Sequence, residues 1–87
     1  MSNSATYTVT DSTGSVATIP AKALRDEVIL RCSGATVYWA LNEEAEYGTG
    51  SYMETGDALV LTGKKANAAF HAVCDSGQTS TLNAQLD

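Results

Sequence analysis

Glycines and a single proline cut this chain into short pieces, and that punctuation decides most of what it can fold into. Gly14, Gly34, Gly48, Gly50, Gly56, Gly63 and Gly77 recur along the 87 residues, and Pro20 adds a further break. Helices shorter than about 12–15 residues are marginal in water. The stretches with helical spacing, Ala21–Arg25 and Asn42–Tyr47, fall well short of that. Between the breaks the chain uses Val, Ile, Thr, Tyr and Trp, residues that fit a pleated, half-buried surface.

The expected strands are Thr6–Thr10, Ser15–Ile19, Glu27–Cys32, Thr36–Leu41, Ser51–Met53, Ala58–Thr62, Ala68–Cys74 and Gln78–Leu86. Asp11–Gly14, Glu54–Asp57 and Asp75–Gly77 read as turns, Gly63–Asn67 as a basic turn, and Asn42–Gly50 as an acidic loop. Pro20 ends the second strand because proline has no N–H to give a ladder. Glu27–Cys32 and Thr36–Leu41, joined by Ser33-Gly34, form the clearest hairpin in this reading. Alternation places Val37, Trp39 and Leu41 on a buried face, with Trp39 at least partly covered, and Thr36, Tyr38 and Ala40 on the other. In the same way Phe70, Ala72 and Cys74 match Leu82, Ala84 and Leu86, leaving Thr79, Thr81, Asn83 and Gln85 outside. About eight short strands at regular spacing predict an all-β fold, a small antiparallel β-sandwich that is jelly-roll-like. The length allows one domain, 1–87, with 1–20 as a possible N-terminal arm.

A chain this short buries roughly 60% of its unfolded surface. Disulfides, a metal or oligomerisation normally supply the missing stability. Two cysteines and one histidine make the first two routes poor, which leaves self-association. Ten acidic against five basic residues give a net charge of −5, a balance that repels phosphate backbones and anionic membranes. No apolar run approaches the roughly 18 residues of a membrane span. The first residues, Met1–Tyr7, lack the basic start and apolar core of a secretory signal, so synthesis in a cytoplasm is expected.

The residues that carry chemistry offer little. His71, the one histidine, lies inside an expected strand, out of phase with Phe70 and Cys74, where a half-exposed strand residue is the simpler reading than a catalytic base. Glu43, Glu44, Glu46, Asp57 and Asp75 supply carboxylates for a glycosidase-type pair, but an acidic loop is more often merely solvated. Asp11–Gly14 and Asp75–Gly77 lack the alternating oxygen ligands of a calcium loop and read as turns. Gly48-Thr49-Gly50 lacks the strand, helix and lysine of a phosphate loop. Cys32 and Cys74 lack zinc-site spacing; two buried reduced thiols are expected, and a disulfide between neighbouring strands remains the alternative. No catalytic residue, metal or cofactor is expected.

Several elements follow one another in a recognisable order. They are the Arg-bearing apolar stretch Arg25–Cys32, the Ser33-Gly34 turn, Val37-Tyr38, the Asn42–Tyr47 loop, and the glycine-bounded Gly48–Met53. Gly56–Leu61, the alanine-rich Ala68–Cys74, Ser76-Gly77-Gln78-Thr79 and Thr81-Leu82 complete the order. Taken together, Ala23–Leu86 resembles small virion proteins of tailed bacteriophages. The resemblance implies a β-sandwich or jelly roll, usually trimeric, that decorates or cements a capsid or sits on fibres or at the head–tail junction. It brings no catalytic or cofactor residues. Cys74, Trp39 and the strongly acidic Asn42–Tyr47 loop depart from the pattern.

The function expected from this reading is a non-enzymatic virion structural protein, most of all a capsid decoration or cement protein, made in the host cytoplasm. Its partners would be itself, as a homotrimer, and a major capsid protein or another virion protein. A composition with 11 Thr, 13 Ala and only 17% charged residues suits a surface covered by neighbours. Candidate contact residues are Thr6, Tyr7 and Val9, whose strand can add to an open sheet edge, together with Tyr47 and Tyr52. A small receptor- or glycan-binding module of a fibre or tail tip is the alternative, with Tyr47, Tyr52 and Trp39 as stacking platforms. An acidic inhibitor that mimics nucleic acid is a further one, although only Glu43, Glu44 and Glu46 cluster.

Overall fold

The alternating segments resolve into eight strands in a computed structural model of the chain, which describes residues 3–12, 15–46, 48 and 50–86. They are β1 (Asn3–Val9), β2 (Ala17–Ile19), β3 (Glu27–Gly34), β4 (Val37–Leu41), β5 (Ser51–Met53), β6 (Ala58–Thr62), β7 (Phe70–Cys74) and β8 (Ser80–Leu86). One helical turn, α1 (Lys64–Asn67), lies between β6 and β7. The strands form two four-stranded antiparallel sheets, in the orders β1-β8-β3-β6 and β2-β7-β4-β5. Consecutive strands change sheet at every connection except β4 to β5. That order is the double Greek key of a jelly roll, so the all-β sandwich expected from the strand spacing is the fold.

Period-two alternation builds the core between the sheets. Val28, Leu30 and Cys32 of β3 and Leu82 and Ala84 of β8 are buried from one side; Val37 of β4 and Phe70, Ala72 and Cys74 of β7 are buried from the other. Val9, Ile19, Met53 and Leu61 close the cluster, while Trp39, Leu41 and Leu86 pack against it half-covered. Trp39 stacks on Phe70 with ring centroids 5.6 Å apart. The inward assignments made for β4, β7 and β8 therefore hold.

The hairpin expected between Glu27–Cys32 and Thr36–Leu41 does not form. β3 pairs with β6 and β8, β4 pairs with β5 and β7, and the chain arches from one sheet to the other through Ala35 and Thr36. Alternation is satisfied either way, because Cys32 and Val37 end up buried whether their strands lie side by side or face to face. Gly34 belongs to β3 rather than to a tight turn. A Cβ built there would stand 3.2 Å from the Cα of Ser80, its partner on β8, so glycine lets the two backbones approach (φ +120°). The basic Gly63–Asn67 turn closes as the helical turn α1. The 1–20 segment gives one strand to each sheet of its own chain, with β1 laddered to β8 from Asn3 to Val9.

Candidate functional site

The expected contact residues fall on different sheets. On β1, Thr6 is exposed and its hydroxyl donates to Asn83 Oδ1 (3.3 Å), Tyr7 packs half-covered against the core, and Val9 is fully buried. Val9 can thus meet another chain only if the whole strand is exchanged. Tyr52 lies on β5 in the second sheet, 58% exposed and directly opposite Tyr38, with ring centroids 6.3 Å apart. Desolvation and then the Asp75 carboxylate raise the pKa of the half-buried Tyr38 phenol above the usual tyrosine value. Tyr47 lies outside the described residues.

Two of the carboxylates weighed for chemistry close loops instead. Asp11 Oδ2 accepts the Gly77 N–H (2.8 Å) and ties two loops together at one end of the sandwich, while Asp57 Oδ2 accepts the Glu54 N–H (2.9 Å) and closes its turn. Glu43, Glu44 and Glu46 are exposed and rim an open cleft of about 550 Å³ against Trp39, Ala40 and Leu41, and Ala45 is buried between them in sequence. His71 is half-buried on the outer side of β7. Among the described residues no group of three or more His, Cys, Asp or Glu side chains is placed to hold a metal ion, and no helix is long and apolar enough to cross a membrane. Cys32 and Cys74 are buried and not joined in a disulfide. The Cys32 Sγ lies 3.4 Å from the Ser80 hydroxyl, and the Cys74 Sγ lies 3.6 Å from the Val9 carbonyl. Burial, and next the neighbouring Cys32, push the Cys74 thiol up to about 11, which removes the thiolate a nucleophile needs.

One buried cation went unread in the sequence. Arg25 is only 6% exposed, and its guanidinium donates to main-chain carbonyls: Ala66 at 2.6 Å, Ala68 at 3.3 Å and Pro20 at 3.4 Å. The Asn67 amide donates back to the Arg25 carbonyl, and the Lys22 N–H to the Asn67 carbonyl (3.0 Å). These bonds latch the β2–β3 loop onto α1. The latched loop holds Leu24 at φ +67° and 93% exposed, a backbone conformation that leucine rarely adopts.

The sheet edges differ in how they are defended. An edge strand presents unpaired N–H and C=O groups, which proteins normally blunt with short length, bulges, proline or charge. The second sheet uses those devices: β5 has three residues, and β2 has three, a shifted register and Pro20 after it. The first sheet does not. Its edges are β1, seven residues, and β6, five residues, and neither contains a charged residue or a proline. No family model, curated protein or solved structure matches the chain.

Proposed function

We propose that this chain is a non-enzymatic structural protein of a bacteriophage virion, whose role is to decorate and stabilise the capsid. The observation that carries the reading is the long, uncharged, proline-free edge of β1 in a chain whose net charge is −5. Chains this acidic repel one another, and an edge without charges is where a neighbour can add a strand. The order of sequence elements, which resembles that of small phage virion proteins, supports the same reading. A homotrimer at a local threefold position would let several weak strand-edge contacts act together, so that avidity makes up for modest affinity. Thr6 and Tyr7, with Val9 if the strand exchanges, are the residues of this contact.

Exposed Tyr52, with half-buried Tyr38 beside it, favours a second reading, a glycan- or receptor-binding module in which the rings stack on a ligand. Sedimentation separates the two. Purified protein is expected to pellet with preassembled cognate capsids and to stay in the supernatant without them. Protein that never pellets with capsids, mature or immature, contradicts the decoration role, and binding on a glycan array that Tyr52→Ala abolishes would install the second reading instead.

A further inference from the structure

The other undefended edge, β6, carries a contact of its own that does not depend on the capsid role. The Cys32 N–H donates to the Asp57 carbonyl (3.1 Å), and the ladder then pairs Leu30 with Leu59 and Val28 with Leu61. In an antiparallel ladder successive residues turn their main-chain groups to alternate sides. Asp57, Leu59 and Leu61 therefore bond inward to β3, and the N–H and C=O groups of Ala58, Val60 and Thr62 point outward from the sheet. Val60, at the centre of this edge, leaves 55% of its surface to solvent. Exposed Asp57 precedes the strand and exposed Lys64 follows it.

These features are self-complementary. We propose that β6 pairs antiparallel with β6 of a second copy of this chain, centred on Val60. Ala58 then faces Thr62 of the second copy, each Val60 faces the other, and all the outward main-chain groups are bonded. The same register sets Asp57 opposite Gly63, one residue from Lys64 of the other copy, so the long Lys64 side chain of each copy can reach the Asp57 carboxylate of the other. Any other register leaves outward groups unpaired or moves these charges apart. β1 has no such arrangement, because no basic residue flanks it before Asp11. A pair of opposite charges at each end favours a twofold contact between copies over an unrelated partner strand.

Amide exchange at millimolar concentration tests this. With the contact formed, the amides of Ala58, Val60 and Thr62 are protected along with those of Leu59 and Leu61, and the particle mass is an even multiple of the subunit. Val60→Lys, with circular dichroism unchanged, halves that mass and releases the amides of residues 58, 60 and 62 while 59 and 61 stay protected. Lys64→Glu, which brings like charges together, weakens the pairing roughly threefold to tenfold. Wild-type amides at 58, 60 and 62 exchanging as fast as loop amides, or a mass that is an odd multiple of the subunit, overturn the proposal whether or not the protein binds capsids. A Lys64→Glu variant that pairs as tightly as wild type overturns the register.

Discussion

Arg25→Ala is expected to lower the melting temperature by about 12–24 °C, a shift that corresponds to about 3 kcal/mol in a domain of this size. The substitution leaves the carbonyls of Ala66, Ala68 and Pro20 without this donor, and the bonds to Ala66 and Ala68 are buried. A buried acceptor left unpaired costs about 1–3 kcal/mol, and more than one is orphaned here. A stability of about 4–13 kcal/mol is typical for this length, so the loss is a large part of the total. Arg25→Lys rescues little, since a single ammonium cannot fork to carbonyls on both sides of the loop. Arg31→Ala is the control: Arg31 is exposed on β3, and its loss is expected to change stability by no more than about 0.5 kcal/mol. Thermal melts by circular dichroism measure all three, and equal midpoints for Arg25→Ala and wild type would show that the latch contributes nothing.

Phe70→Ala is expected to cost about 3–5 kcal/mol, the usual range for removing a buried phenyl ring. Phe70 is 1% exposed, sits between Ile19 of β2 and Leu41 of β4, and carries Trp39 stacked on it. Its loss opens a cavity beside the chain's one tryptophan. The fluorescence of Trp39 in the folded variant should therefore shift to longer wavelength, and urea denaturation should show a lower midpoint with an unchanged slope. An unchanged emission maximum would mean that the stacked pair does not exist in solution.

How far the sequence carried can be read from particular residues. Eight strands were legible because period-two alternation and glycine punctuation act locally, and Ala58–Thr62 and Ser51–Met53 emerged with their observed bounds. The pairing of β3 with β8 and β6 was not legible. Ser33-Gly34 looks like a two-residue hairpin turn, and what makes residue 34 a glycine is the Ser80 backbone, 46 positions along the chain. Arg25 was seen only as a charge at the head of an apolar strand, because its partners are carbonyls, which every residue has. Spacing in sequence gives no sign of them. The contrast between guarded and unguarded edges likewise needs the strand order, since charge and proline content mean little until a strand is known to lie at an edge.

The strand order β1-β8-β3-β6 and β2-β7-β4-β5 turns on the arch at Ala35-Thr36, where the chain crosses from one sheet to the other. Neighbouring strands lie about 5 Å apart and facing sheets about 10 Å, a difference that backbone nuclear Overhauser contacts resolve without ambiguity. The jelly roll predicts backbone contacts between Leu30 and Ala84 and between Tyr38 and Val73, and none between Leu30 and Val37. A backbone contact between Leu30 and Val37, the pairing that a hairpin closed by the two-residue Ser33-Gly34 turn would impose, contradicts the account.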